Sequence, residues 1–162
     1  MSLTLFRIDE RLLHGQVIVG WGMRLGIDHY LVVDDALSES DWEQDLYSAG
    51  LPDGVSVEFL PVARVIELFG EINARAGSGA LLTRDTAVMR KLAEAGCLEG
   101  CRVNLGGLHA GEGRRRALRY LHLRSDEVSD LRAIAERAGM VSARDLPTGK
   151  EVELEELIDA LD

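Results

Sequence analysis

Short runs of β-favouring apolar residues alternate along the chain with longer stretches whose apolar positions recur every three or four residues. Leu3–Ile8 predicts a first strand, and Gln16–Leu25 a helix closed by Gly26. His29–Val33 predicts a second strand, apolar enough to be buried on both faces. Ser40-Asp41-Trp42-Glu43 has the spacing of a capping box and predicts a helix from about Asp41 to Ala49. After a turn rich in Gly and Pro, Val55–Leu60 alternates as a strand does. Pro61 suits the first position of the next helix, whose buried face is marked by Val62, Val65, Ile66, Phe69 and Ile72. Ala80–Thr83 is a strand, and Asp85 or Thr83 caps a helix running to Ala95 ahead of Gly96. Arg102–Leu105 is another strand, and Arg116–Leu123 alternates weakly as an edge strand would. Ser125-Asp126-Glu127 opens a helix through Leu131, Ile134 and Ala135 that Gly139 stops. Met140–Ala143 is the last strand, and Leu154-Glu155-Glu156-Leu157-Ile158 a terminal helix.

This order predicts an α/β fold: an open, doubly wound, mainly parallel sheet of about six to seven strands, with helices on both faces and right-handed crossovers. The 162 residues, 46% of them hydrophobic, fit one domain over residues 1–162 with no repeat or linker. Such a domain buries roughly 70% of its unfolded-chain surface. No apolar run reaches the ~18 residues needed to span a bilayer. The first residues lack the basic and long apolar segments of a secretory signal, so a cytoplasmic protein is expected.

Charge narrows the function classes. The net charge of −10 argues against general affinity for nucleic acid or an anionic membrane surface. It is also uneven. Asp34, Asp35, Glu39, Asp41, Glu43 and Asp45 form an acidic stretch, and Arg114, Arg115, Arg116, Arg119 and Arg124 a basic one. A charge run is most often a solvated face, yet two patches of opposite sign would orient a partner. Cys97 and Cys101 are the two cysteines, with no second pair to complete a four-ligand zinc site, so reduced thiols and no metal are expected.

The candidate chemistry lies in Arg7-Ile8-Asp9-Glu10-Arg11-Leu12-Leu13-His14-Gly15-Gln16-Val17. This stretch joins the first strand to the first helix, at the carboxyl edge where open α/β sheets bind ligands. A neutral histidine has a ring nitrogen free for nucleophilic attack and can carry a covalent intermediate. A phosphoryl group on His14 would need donors. Arg11 and Arg7 could supply charge-assisted bonds, and the amides near Gly15 and Gln16 an anion-binding concavity. Asp9 could orient Arg11 or accept the ring N–H of His14. The plainer alternative is that His14 packs or caps a helix.

That run closely resembles R-I-D-D-R-L-I-H-G-Q-V in the IIB component of the mannose/fructose/sorbose-type sugar phosphotransferase system, with Glu10 and Leu13 as conservative changes. Asn104-Leu105-Gly106-Gly107-Leu108-His109-Ala110-Gly111-Glu112-Gly113 is similar to the family's N-[VI]-G-G-M-H-F-x-E-G, and Ser142–Thr148 to its V-P-T-D stretch. The resemblance covers essentially the whole chain. It implies that a phosphorylated IIA protein hands its phosphoryl group to His14, which passes it to a sugar held by membrane IIC and IID subunits. Neither metal nor organic cofactor is implied. It also implies a cytoplasmic protein peripherally associated with its permease. A homodimer is compatible with the sequence. His109 would contact the phosphoryl group or the partner if its loop leaves the same sheet edge. The chain departs from the family at Ala110, at Arg114-Arg115-Arg116 and in the acidic helix after Asp35, all where a partner could be met. The alternative reading is an orphan regulatory IIB subunit that signals phosphorylation state without sugar transport.

The remaining candidates read as structural. His29 and His122 bound strands, and Trp21 and Trp42 sit on helices as core or rim residues. Asp34-Asp35 ends a strand as ribose-binding acids do, but no G-x-G-x-x-G accompanies them.

Overall fold

The computed structural model describes residues 2–161. Seven strands form one sheet: β1 (Leu3–Ile8), β2 (His29–Val33), β3 (Ser56–Leu60), β4 (Gly79–Thr83), β5 (Arg102–Leu105), β8 (Met140–Ala143) and β9 (Val152–Glu153). Their order is β3-β2-β4-β1-β5-β8-β9, with every pairing parallel except β8–β9. The predicted α/β class and sheet type hold. The strands at the middle, β1 and β4, are almost wholly buried, as continuous apolar runs in a parallel sheet must be.

The helices are α1 (Gly22–Leu25), α2 (Asp41–Ala49), α3 (Val62–Asn73), α4 (Thr86–Glu94), α5 (Ser125–Arg137) and α6 (Leu154–Asp159). Two cores separate them. One gathers Val65 and Ile72 of α3, Met89 and Leu92 of α4, Leu131 and Ile134 of α5 and Leu157 of α6 against Phe6, Ile8, Val103 and Val141. The other gathers Leu5, Leu12, Val17, Trp21 and Tyr30 with Tyr47 of α2. Helices thus cover both faces, unequally. The face carrying Leu5 is covered only by α2 and the segment that ends in α1.

Several boundaries shift for local reasons. Asp85, not Thr83, caps α4: its carboxylate accepts the Val88 N–H at 2.8 Å. Ser40 precedes α2 but its side chain caps nothing. Pro61 lies one residue outside α3. The expected edge strand Arg116–Leu123 is corrected. It is an antiparallel hairpin, β6 (Arg115–Leu118) and β7 (Leu121–Leu123), apart from the main sheet. Leu121 and Leu123 drive its docking into the core, and Leu108 N–H to Tyr120 C=O at 3.0 Å ties it to the loop after β5. The helix predicted from Gln16 opens as a π-helix, Gln16–Trp21, before α1. The Tyr30 hydroxyl donates to Val17 C=O at 3.4 Å beside this wider turn, and a Cβ on Gly22 would collide with it. π-Turns concentrate at functional sites. This one follows directly on His14.

Candidate active site

Strand β1 is the fourth of seven, and its last residues lie between Thr83 of β4 and Leu105 of β5. The chain leaves β1 toward one face of the sheet and leaves β5 toward the other. The crevice between those loops is where ligands sit in open α/β sheets.

Asp9 occupies that crevice and is only 1% exposed. Its Oδ1 accepts from the backbone N–H of Arg11 at 3.0 Å and from Arg11 Nε at 3.1 Å. Its Oδ2 accepts from Arg7 Nη2 at 3.0 Å, Arg11 Nη2 at 3.1 Å and Gly107 N–H at 3.1 Å, and contacts His14 Nε2 at 3.2 Å. The two roles weighed for Asp9, orienting Arg11 and holding the His14 ring, are met at once. Burial alone would raise the Asp9 carboxyl. Hydrogen bonds from His14 and Arg11 and the charge of Arg7 outweigh it and hold the group far below the usual carboxylate range.

The loop turns back on Asp9 through Leu12, whose φ of 53° is left-handed. A non-glycine residue there costs about 1–2 kcal/mol. Complete burial of the Leu12 side chain in the second core offsets it, at roughly 1.5–3 kcal/mol. The His14 carbonyl then accepts the N–H groups of Val17 and Ile18, at 3.0 and 2.9 Å, so those two amides are used within the turn. Gly15 is exposed, and a Cβ there would meet nothing within 4 Å. Gln16 Oε1 accepts from Arg11 Nη2 at 3.0 Å. The Arg11 side chain is 34% exposed, and its Nη1 is not among the donors to Asp9 or Gln16.

Arg7 departs from expectation. It was expected near a bound phosphoryl group, but it is 0% exposed. Its Nη1 donates to Asn104 Oδ1 and to Arg144 C=O at 2.9 Å, and its Nη2 to Asp145 C=O at 3.2 Å as well as to Asp9. Its guanidinium lies 5.4 Å from the Trp21 ring centroid. Arg7 is a strut joining the loops after β1 and β8 to strand β5. Side-chain direction decides this, and the loop motif alone gives no sign of it. Asn104, Gly106, Gly107 and the Arg144-Asp145 backbone belong to the same assembly. A Cβ on Gly106 would collide with the Arg7 guanidinium and the Asp9 carboxylate, so that glycine permits the close approach.

His109 lies on the rim, outside the Asp9 cluster. Its Nδ1 is 2.6 Å from Glu10 Oε2, and Glu10 Oε1 pairs with Arg114, which holds buried Glu127 at 2.8 Å. Burial would raise Glu10, but the His109 amide and Arg114 bring it below its ordinary value. The basic stretch is therefore only partly free, with Arg116 and Arg119 exposed. Arg114 and Arg124 are in ion pairs and Arg115 donates to Leu161 C=O at 2.5 Å.

Other candidates resolve into structure. Asp34 accepts from Leu37 N–H at 2.9 Å and pairs with Arg84 at 2.6 Å, while Asp35 caps α3 through Val62 N–H at 2.8 Å. His29 pairs with Asp28 at 2.6 Å, and His122 Nδ1 lies 3.2 Å from Leu108 C=O. Cys97 and Cys101 are buried free thiols, pushed up by that burial. Trp21 is core as expected, but Trp42 is 67% exposed.

Comparison with known proteins identifies the fold and the family. The chain is 31% identical over 147 residues to the N-acetylgalactosamine-specific phosphotransferase enzyme IIB component 1 of Escherichia coli K12, covering 90% of this chain and 92% of that protein. It is 24% identical to the mannose-specific EIIAB component of the same organism, over all of this chain and 50% of that protein. The IIB domain of the sorbose permease from Klebsiella pneumoniae superposes with a TM-score of 0.89, covering 100% of this chain and 99% of that one, at 18% identity, which speaks for the fold alone. The family model for the PTS system sorbose subfamily IIB component matches residues 3–161, and the chain belongs to that family of sugar phosphotransferase components.

Proposed function

We propose that the protein is a phosphoryl carrier: His14 takes a phosphoryl group from a phosphorylated IIA protein and hands it to a sugar held by membrane IIC and IID subunits. The contact of His14 Nε2 with Asp9 Oδ2 at 3.2 Å carries this reading. A neutral imidazole that donates its Nε2–H to a carboxylate has its lone pair on Nδ1. Nδ1 attacks phosphorus, the N–P bond of the donor phosphohistidine breaks, and that electron pair returns to the donor ring. In the second transfer a sugar hydroxyl oxygen attacks phosphorus, its proton passing to solvent or to a base of the permease, and the N–P pair returns to Nδ1.

Arg11 is the charge partner of the moving phosphoryl group, because Asp9 and Gln16 fix its orientation while leaving Nη1 outside those bonds. Arg7 acts through Asp9 as a positioning residue. Gly15 leaves the approach to His14 open, and His109 meets the partner from the rim. Neither transfer is routed through a metal or organic cofactor. Positioning and charge stabilisation are what the site supplies. One domain over residues 1–162 carries the whole cluster, so a homodimer is not required. The protein works in the cytoplasm, docked at times to its permease; among the described residues no helix is long and apolar enough to cross a membrane.

Incubation with phosphorylated IIA tests this. The protein acquires acid-labile, base-stable phosphate, and His14→Ala acquires none. Label that persists in the variant would refute the assignment.

A further inference from the structure

Behind the site, on the sheet face carrying Leu5, no helix covers strands β5, β8 and β9. A cavity of about 420 Å³ lies there. Its floor includes Arg102, Asn104 and Ser142, its wall is Trp21, and Arg144 and Glu151 close it. Two features mark it as built for a ligand. The Arg144 guanidinium makes no hydrogen bond or ion pair among the described residues, and its Nε is buried without a partner. Burying an unsatisfied polar group is costly; Arg7 Nε and His29 Nε2 are also buried without partners, but both those side chains are paired through their other nitrogens, and Arg144 is not. The rest of the lining is neutral or already balanced. Arg102 pairs with Glu151 at 3.2 Å, and Ser142 Oγ donates to Glu151 Oε2 at 3.1 Å. One unanswered positive charge therefore faces amide, hydroxyl and carboxylate groups spaced along a sheet, beside an indole.

We propose that this cavity binds a phosphorylated monosaccharide, the phosphate pairing with Arg144 and the sugar hydroxyls with Ser142 and Glu151. A guanidinium is well suited to a phosphate's oxygens. Pockets of about 300–1,000 Å³ with a few placed polar groups suit small ligands. The identity of the ligand rests on the carrier reading, since a phosphorylated sugar is what that reaction releases. The cavity is also joined to the phosphoryl site: the carbonyl of Arg144 accepts from Arg7 Nη1 at 2.9 Å, and Arg7 holds Asp9. A ligand bound at the Arg144 side chain thus lies one residue's width from the strut beneath His14.

Titration calorimetry tests the proposal with glucose 6-phosphate, N-acetylgalactosamine 6-phosphate, inorganic phosphate and unphosphorylated glucose as probes, with phosphorylation of wild-type His14 by phospho-IIA measured in parallel. At least one sugar phosphate binds the wild-type protein, at least tenfold tighter than inorganic phosphate or glucose. Arg144→Gln weakens that binding at least tenfold, and Ser142→Ala weakens it by a smaller factor. Amide NMR of Arg144→Gln establishes that the fold persists. No binding of either sugar phosphate, equal binding of inorganic phosphate, or binding indifferent to Arg144→Gln each overturns the proposal. Sugar-phosphate binding without any His14 phosphorylation would overturn the carrier reading and leave the cavity standing.

Discussion

Asp9 is the residue on which the site depends, and it is testable without a partner protein. Asp9→Asn keeps the shape but leaves the buried Arg7 charge unpaired, which costs about 3–5 kcal/mol at neutral pH. The Asp9 carboxyl is held far below the roughly 3.9 of an unfolded aspartate. A depressed pKa contributes stability that is fully present above the unfolded value and is lost as pH falls toward the folded one. The difference between wild type and Asp9→Asn is therefore largest above about pH 4 and shrinks below it. Urea midpoints measured from pH 7 to pH 3 check this; a constant difference across that range would contradict it. His14, Arg11 and Asp9 were all legible in the sequence as neighbours. That Asp9 serves both of the others was not, because it depends on the left-handed turn at Leu12. Nor was the burial of Arg7, since a residue at the end of a strand shows in sequence only that it alternates, not which side is covered.

Among the elements, the π-helix Gln16–Trp21 has the most direct bearing on His14, whose carbonyl accepts two amides of that turn. Tyr30→Phe removes the hydroxyl that donates to Val17 C=O. The expected loss is about 0.5–1.5 kcal/mol of stability, with slower phosphorylation of His14. Thermal melting and a phosphotransfer time course check both, and a variant unchanged in melting would show that the hydroxyl contributes nothing to the turn. A helix over this segment was predicted, but its π character was not, because Tyr30 comes from the next strand. The parallel strands were legible as continuous apolar runs. The hairpin β6–β7 was not, since its Arg115-Arg116 start gives no alternation and its docking relies on Leu108 from another loop. The two residues of β9 carry too little pattern to be read at all.

For the molecule as a whole, the charge runs that stand out in the sequence are only partly bound within the fold: Glu39, Asp41 and Asp45 on one side and Arg116 and Arg119 on the other stay exposed. Arg114 and Arg124 are held in ion pairs, and Asp34 and Asp35 cap or pair within the fold. The exposed apolar residues include Val19 and Met23, one turn apart on the segment after His14, with Met23 75% exposed. A IIA protein that docks along this segment under the carrier reading would cover Met23. Met23→Glu should then raise the KM for phospho-IIA several-fold while leaving kcat and the melting temperature near wild type. An unchanged KM would move the docking face elsewhere. The arrangement of Asp9 has one more consequence, for motion. The amides of Arg11 and Gly107 donate to the two oxygens of one carboxylate, although they belong to loops that follow different strands. Loss of the carboxylate frees both amides at once, so Asp9→Asn should speed hydrogen exchange at Arg11 and Gly107 together, and exchange raised at one alone would show that the two loops open separately.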